Sequence, residues 1–380
     1  MKLCKWGDLA KLEYGKSLRS YSAETSDSEL VRVYGTNGPI GWCKEPLRNQ
    51  AGIIIGRKGA YRGVHYSPSP FFVIDTAYFL SLTSNDVDLR WAYYQLLTVD
   101  INRLDSGSAI PSTKREDFYS IPVRVPSKPS QLKIASILSA YDDLIENNLK
   151  RIALLEESAR LLYREWFVWL RFPGYEHTRI VDGVPEGWER KTLAEVCESV
   201  SYGYTASAQS EEVGPKFLRI TDIVPQLIDW SSVPNCEIPD DKKKQYLLKD
   251  GDIVIARTGA TVGYAKRLHK RHPEAVFASY LIRLRLKPEV DDLLVGTYVE
   301  SDDYKNFVKA HVGGAAQPNA NAKVLSSARL LMPPPTLQGL FRENVEAIQD
   351  QKEVLMIQNQ KLKQARDLLL PRLMNGEIEV

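Results

Sequence analysis

The two halves of the sequence carry the same pattern of predicted strands and loops. This long-period duplication is the feature that most limits how the chain can fold. Residues 52–63 (GIIIGRKGAYRG) match residues 251–263 (GDIVIARTGATVG), and each segment has the pattern of an apolar strand, a basic residue and a glycine turn. Four further features recur around it in the same order: a preceding strand, a following strand, a loop of small residues and a short strand before prolines. They lie at 30–34, 71–80, 106–111 and 121–126 in the first half and at 217–221, 276–286, 313–318 and 328–333 in the second. The order indicates two domains of one fold.

Each half ends in a stretch with a helical period. In residues 138–166 and 345–373, mostly apolar positions recur at alternating spacings of four and three residues. This is the heptad pattern of residues that form the contact line, or seam, of a coiled coil. One asparagine lies in each seam, Asn148 and Asn359, and a seam asparagine can fix the register of a helix pair. The pattern predicts two long helices that pair with each other. Two amphipathic helices, each packed on its own domain, are the alternative.

The arrangement of the halves follows from the duplication. A pseudo-two-fold axis between them would make the helices antiparallel and put the globular parts at opposite ends. We therefore predict an α+β fold with two pseudo-symmetric globular α/β domains separated by two long antiparallel coiled-coil helices. The expected domains are 1–128 and 188–334, the expected helices are 129–170 and 335–380, and a linker rich in glycine, proline and charge covers 171–187.

Composition is that of an ordinary globular protein, with 43% hydrophobic and 26% charged residues. No apolar run approaches the roughly 18 residues of a membrane span, and the first residues lack the features of a signal peptide. The cysteines Cys4, Cys43, Cys197 and Cys236 are scattered, which predicts a reducing, cytoplasmic location without membrane association. Because the net charge is only +2, any nucleic-acid surface must concentrate its basic residues on one face.

Along nearly its whole length the chain resembles the specificity subunits of type I restriction-modification systems. Segments of both domains and both helix ends carry this resemblance. They are 34–41 (YGTNGPIG), 52–59 (GIIIGRKG), 74–76 (IDT), 162–167 (LYREWF), 251–263, 315–321 (AAQPNAN) and 368–378 (LLLPRLMNGEI). The order of these segments over both halves is more specific than any one of them.

The resemblance implies a function in DNA methylation and phage defence. Each globular domain would be a target recognition domain that reads one half of a bipartite, asymmetric site in double-stranded DNA through the major groove. The helices would bind two methyltransferase subunits that bring S-adenosylmethionine and methylate adenine. Restriction subunits with ATP- and Mg-dependent translocation would join them, and this chain would need no cofactor. A helix of about 38 residues is about 57 Å long, on the scale of one to two DNA turns.

Candidate DNA-binding residues are the forked or rotatable donors and acceptors in the loops, since these side chains read bases, and the cations, since these bind phosphates. In the first domain they are Arg57, Lys58, Tyr61, Arg62, Ser108, Thr113 and Lys114. In the second they are Arg219, Arg257, Thr258, Thr261, Gln317, Asn319, Asn321 and Lys323. Each one taken alone could equally be a solvated loop residue. The second domain has 317–319 (QPN) where the first has 110–112 (IPS), so the two loops need not do the same job.

An enzymatic function is the rival class, and the sequence offers no site for it. An adenine methyltransferase needs an (N/D)PP(Y/F) motif, and the run at 332–336 (MPPPT) lacks its polar and aromatic residues. The glycine turns lack the GK(S/T) of a phosphate loop. Asp182 with residues 189–191 forms only a loose nuclease pattern, and His269 and His272 lack a third metal ligand. We predict a non-catalytic recognition subunit without a metal, or alternatively an orphan DNA-binding or methyltransferase-binding regulator outside a restriction complex.

Overall fold

The computed structural model describes residues 2–23, 25–26, 30–104, 111–225, 227–312 and 319–380. It divides into two units, the first formed by residues 1–149 and 356–380 and the second by residues 150–355. Each unit contains one copy of the repeat. Two long helices, α4 (Lys128–Tyr163) and α11 (Pro335–Met374), contribute residues to both units.

The first unit is built from short strands and helices that precede α4. Its strands are β1 (Lys2–Lys5), β2 (Ala10–Tyr14), β3 (Val31–Gly35), β4 (Gly38–Cys43), β5 (Gly52–Gly56), β6 (Val64–Ser67), β7 (Phe71–Val73), β8 (Ala77–Leu82) and β9 (Pro122–Val125). Its helices before α4 are α1 (Trp6–Leu9), α2 (Leu89–Leu97) and α3 (Arg115–Ser120). The strands form sheets of order β2-β8-β5-β6, β4-β3-β7 and β1-β9.

The second unit repeats this plan after a linker that contains β10 (Ile180–Val181) and β11 (Val184–Pro185). Its further strands are β12 (Glu189–Thr192), β13 (Cys197–Tyr202), β14 (Lys216–Leu218), β15 (Ile253–Ala256), β16 (Ala265–Arg267), β17 (Ala275–Phe277), β18 (Leu281–Leu286) and β19 (Arg329–Met332). Its helices are α5 (Leu193–Val196), α6 (Ile220–Ile223), α7 (Asp240–Tyr246), α8 (Asp292–Glu300), α9 (Asp302–His311) and α10 (Ala322–Ser326).

The two topologies correspond except at β4, which pairs with β3 and has no counterpart among the strands described in the second unit. The order β13-β18-β15-β16 repeats β2-β8-β5-β6, the pair β12-β19 repeats β1-β9, and the parallel pair β14-β17 repeats β3-β7. The central strands β5 and β15 are fully buried, and the register that pairs Ile53 with Leu80 also pairs Ile253 with Leu284. The predicted duplication and α+β class are therefore confirmed.

Three of the predicted strand assignments are wrong in detail. The single strands expected at 71–80 and 276–286 are each broken in two, because a tight turn moves the chain from one sheet to another. In these turns the backbone N–H of Ala77 donates to Ile74 and that of Leu281 donates to Ala278. Both flanking strands are apolar and buried, so the pattern looks continuous in the sequence.

The strand expected at 217–221 ends at Leu218 instead. The Asp222 carboxylate accepts the backbone N–H of Arg219 at 2.8 Å and also pairs with its guanidinium. This capping arrangement starts α6 at Ile220, which replaces the second half of the expected strand.

In the first unit, residues of α4 and α11 pair in an antiparallel sense. Asn148 donates to the side-chain oxygen of Asn359 at 2.9 Å, and Arg366 forms an ion pair with Asp142 at 2.6 Å. The partner number rises along α11 as the position falls along α4, which is the antiparallel direction. The two predicted seam asparagines thus contact each other. Tyr94 donates to the same Asp142 at 2.6 Å and connects the seam to the first domain.

In the second unit, the same antiparallel sense holds between the remaining parts of the two helices. Lys352, a predicted seam position, is buried and forms an ion pair with Glu156 at 2.7 Å. Farther along, Phe341 packs against Trp166, which lies in a π-helical turn (Arg164–Val168) that continues α4. Pairing of the two helices with each other is therefore observed within each unit.

The asparagine contact gives a testable stability prediction. Asn148→Leu should lower the free energy of unfolding by about 1–2 kcal/mol, because the Asn359 oxygen loses its donor in a mostly buried position. The double variant Asn148→Leu/Asn359→Leu should recover most of this loss, since it removes both polar groups. Urea denaturation followed by circular dichroism measures both. A double variant as unstable as the single one contradicts the prediction.

Candidate nucleic-acid interface

The candidate reading loop of the first domain, residues 57–63, starts where the buried strand β5 ends. The backbone N–H groups of Arg57 and Lys58 both donate to the carbonyl of Thr76, at 3.0 and 3.1 Å, and the carbonyl of Arg57 accepts from Thr113 at 2.9 Å. Gly59 donates to the carbonyl of Pro111 at 2.9 Å and has a φ of +121°, a conformation that favours glycine. These contacts attach the loop at three points, so its side chains project from a rigid base.

The Arg57 side chain is held by an aromatic ring and a carbonyl. Its guanidinium carbon lies 4.7 Å from the centre of the Tyr14 ring, and Nη1 donates to the carbonyl of Asp75 at 2.8 Å. The guanidinium of Arg115 lies 4.8 Å from the same ring. Beneath them, burial raises the pKa of the Tyr78 hydroxyl to about 12, so it stays neutral. The remaining donors of Arg57 can still contact a base edge or a phosphate.

The other first-domain candidates differ in accessibility. Lys58, Tyr61 and Lys114 are exposed, and the Tyr61 side chain is 79% exposed. Arg62 is only 4% exposed, and its guanidinium donates to the carbonyl of Asn102 at 2.7 Å, while Thr113 is only 2% exposed. Both side chains therefore lie in the protein interior and are poorly placed to contact DNA. Ser108 lies outside the described residues.

The second domain builds the same loop from equivalent atoms. The N–H of Arg257 donates to the carbonyl of Tyr280 at 3.0 Å, and its carbonyl accepts from Ala320 at 2.8 Å. Gly259 has a φ of +79°. Thr258 forms a bridge with Asn319, as Lys58 does with Ser112 in the first domain. Two loops distant in sequence are joined at the same place in both copies.

Arg257 is oriented by the same kind of contact as Arg57. Its guanidinium carbon lies 5.0 Å from the centre of the Tyr202 ring, and Nη2 donates to the side-chain oxygen of Asn319 at 3.3 Å. The Tyr202 hydroxyl accepts the backbone N–H of Ala322 at 3.1 Å, which ties the ring to the second loop. An arginine and an amide are thus adjacent, and these are the side chains suited to guanine and adenine.

The remaining second-domain candidates have mixed placements. Thr261 is half-buried within the glycine turn, and Lys323 is exposed on α10. The Asn321 side chain caps α10 by accepting from Val324 at 2.9 Å, and Arg219 is paired with Asp222. Both of these side chains already have structural partners. Gln317 lies outside the described residues.

Sequence reasoning missed the two tyrosines beneath the arginines. A signal was present, because a Tyr-Gly pair ends the second strand of each repeat, at 14–15 and 202–203. A Cβ atom on Gly15 would lie 2.0 Å from the carbonyl oxygen of Ile74, and one on Gly203 would lie 2.2 Å from that of Ala278. Glycine is required at both places because the backbone passes there at close range.

This arrangement presents hydrogen-bond donors and acceptors on two rigid loops. Among the residues that the structure describes, no group of three His, Cys, Asp or Glu side chains is placed to hold a metal ion. No disulfide joins any of the four cysteines, all of which lie in the described residues. No helix in the described ranges is long and apolar enough to cross a membrane.

A family model and the similar proteins of known name point to the same family. The family model described as "Type I restriction modification DNA specificity domain" matches residues 1–157 and 185–364. The MjaVIII specificity subunit of Methanocaldococcus jannaschii is 24% identical over 347 residues, which is 89% of this chain and 81% of the relative. The HindI specificity subunit of Haemophilus influenzae is 22% identical over 390 residues, which covers 82% and 79% of the two chains.

The fold also matches a solved structure. The S subunit of a type I restriction-modification system from M. genitalium superposes with a TM-score of 0.58 at 17% identity, and the match covers 98% of this chain and 96% of that one. At this identity the match shows the fold alone.

Proposed function

Because the chain belongs to the family of type I restriction-modification DNA specificity subunits, we propose that each of its domains reads one half of a bipartite, asymmetric DNA site. The observation that carries this proposal is the presence of equivalent loops in the two domains. Arg57 and Arg257 occupy equivalent positions, each stacked on a tyrosine and each followed by a glycine turn. Two copies of one reading device with different neighbouring side chains suit a site with two different halves.

The partners in this proposal are double-stranded DNA, two methyltransferase subunits and the restriction/translocase subunits. The outer faces of the long helices support a docking role. Exposed apolar side chains lie on α4 at Leu132, Leu144, Leu149, Leu154 and Leu161, and on α11 at Leu340, Val354, Ile357 and Leu368. Contiguous exposed apolar surface is typical of a site that a partner covers, and these side chains are where we expect the methyltransferase subunits to dock. S-adenosylmethionine, ATP and Mg would be held by those subunits.

The proposal assigns no chemistry to this chain itself. The reading loops supply donors, acceptors and cations, and these side chains position DNA. The orphan regulator is the second candidate, and it differs in one respect: it would not direct methylation by a partner. No contact in the described residues favours the regulator.

The first test asks whether catalysis needs a second protein. The purified chain should bind duplex DNA, and incubation with S-adenosylmethionine and Mg should neither methylate nor cleave it. Co-expression with a type I methyltransferase subunit should give adenine methylation at a single bipartite sequence, read by methylation sequencing. Methylation by the chain alone that disappears when one of its own acidic residues is replaced would contradict the proposal. DNA binding without any directed methylation would favour the regulator.

A further inference from the structure

A cleft of about 510 Å³ lies beside the reading loop of the first domain. It is open to solvent between the exposed side of β2 and the segment around Arg48. Four cations line it, from three separate parts of the chain. They are Lys11, Lys16, Arg48 and Arg115. One carboxylate, Glu13, also lines the cleft and accepts a hydrogen bond from the Ser81 hydroxyl.

Four cations against the single carboxylate of Glu13 leave the basic cleft with a net positive charge. Within the described part of the chain, none of its four cations belongs to an ion pair with an acidic side chain. Two of them are held against aromatic rings instead, Arg48 at 5.1 Å from the centre of the Phe79 ring and Arg115 at 4.8 Å from that of Tyr14. Stacking fixes the position of a guanidinium while leaving its N–H donors available. The basic cleft is therefore built to receive an anion.

The basic cleft is continuous with the reading loop. The Tyr14 ring lies within cation–π distance of both Arg57, the base-reading candidate, and Arg115, a cation of the cleft. Tyr14 itself lines the cleft. Any DNA that contacts Arg57 therefore passes next to the cleft. The phosphodiester backbone carries one charge per roughly 1.7 Å of duplex, so it brings several anions to this place.

The second domain uses the equivalent sheet face differently. By register, Arg283 and Arg285 on β18 occupy the places of Phe79 and Ser81 on β8. Arg285 forms an ion pair with the buried Asp252 at 2.7 Å, and Arg283 donates to the carbonyl of Leu247 at 3.1 Å. These cations are occupied by the protein itself. Among the residues that the structure describes, these two arginines are therefore held by contacts within the protein, whereas the cations of the basic cleft are not.

We propose that the basic cleft of the first domain binds the phosphodiester backbone of duplex DNA beside its half-site, and that the second domain lacks this contact. This inference rests on the proposed DNA-reading function and adds a contact outside the reading loops. Backbone contacts release counterions and carry no base preference. Most of the salt dependence of binding should therefore come from the first domain.

The test is the salt dependence of DNA binding by the full chain. The cleft variant carries Lys11→Gln, Lys16→Gln and Arg48→Gln. The control variant loses the same charge from exposed lysines of the second domain, Lys242→Gln, Lys244→Gln and Lys309→Gln. Fluorescence anisotropy with a labelled duplex of about 30 base pairs of mixed sequence gives the affinity from about 50 to 200 mM NaCl. Thermal unfolding checks that all three proteins are folded.

The slope of log K against log salt is negative, and each lost phosphate contact makes it shallower by about 0.9. Three lost contacts should make it shallower by about 2.7. The advantage of the wild type over the cleft variant should then shrink about 40-fold across this range of salt. The control variant should keep the wild-type slope to within about one contact.

Different failures of this experiment have different meanings. If the wild type binds DNA with a salt-dependent affinity, but the cleft variant keeps the wild-type slope, the cleft proposal falls and the proposed function stands. If the wild type shows no salt-dependent binding of DNA, both fall. If the cleft variant loses binding to polyglutamate while its DNA binding is unchanged, the cleft belongs to an acidic protein and the proposal is overturned.

Discussion

Phe341→Ala should lower the free energy of unfolding of the second unit by about 3–5 kcal/mol, which is the usual cost of removing a buried phenylalanine ring. The Phe341 side chain is fully buried. Its ring centre lies 4.9 Å from that of Phe167 and 5.8 Å from that of Trp166. The ring therefore joins the start of α11 to the turn that continues α4. Its loss leaves a cavity among aromatic rings that cannot easily close around the space.

Guanidinium chloride denaturation followed by tryptophan fluorescence measures this effect, because Trp166 and Trp188 both lie in the same core. The neighbouring Leu340 is 43% exposed, so Leu340→Ala is the matched control and should change stability by less than about 0.5 kcal/mol. Phe341→Leu should fall between the two, since it removes only part of the ring volume. Equal stabilities for the alanine variants at 340 and 341 would contradict this account of the joint.

Arg57→Met and Arg257→Met should each relax one half of the DNA site and leave the other half unchanged. Each arginine lies on its own loop, with its backbone held by contacts inside its own unit. A lost bidentate contact to a base costs on the order of 1–3 kcal/mol, or roughly 5- to 150-fold in preference at one position. Lys58→Gln should behave differently, because losing a phosphate contact weakens all sequences alike.

Methylation sequencing of cells that carry each variant with its methyltransferase partner reports both halves at once. The control variants are Arg124→Met and Arg329→Met, two exposed arginines on the equivalent strands β9 and β19. They remove the same charge and should leave the recognised sequence intact. If either loop variant changed the letters read at both halves equally, the division of work between the domains would be wrong.

The sequence was most informative where a pattern repeats over many residues. The heptad seams were predicted from spacing alone, and Asn148 and Asn359 contact each other as a shared seam requires. Strand breaks at Ala77 and Leu281 were not predicted, because a buried strand looks the same on either side of a change of sheet. Which sheet a strand joins is decided by tertiary contacts that a local pattern does not contain.

The candidate DNA-binding site was also predicted only in part. Arginines after the central strands and the glycine turns were identified, because both copies carry them. The burial of Arg62 was not, since it results from Asn102, 40 residues later in the chain. The stacking of Tyr14 on Arg57 depends equally on two strands that meet only after folding. A residue type suggests a chemistry, and its accessibility is set by distant neighbours.

The first unit is discontinuous, and this has a consequence for synthesis on the ribosome. Its core contains Ile134 and Leu138 from α4 together with Leu370 and Leu373 from α11. Residues 356–380 are translated only after the whole second unit, so the domain that is made first completes its core last. Until then the nascent chain exposes the apolar face of α4 around Ile134 and Leu138 to solvent. A premature stop codon before residue 356 should therefore destabilise the first unit, although its residues 1–149 have all been translated.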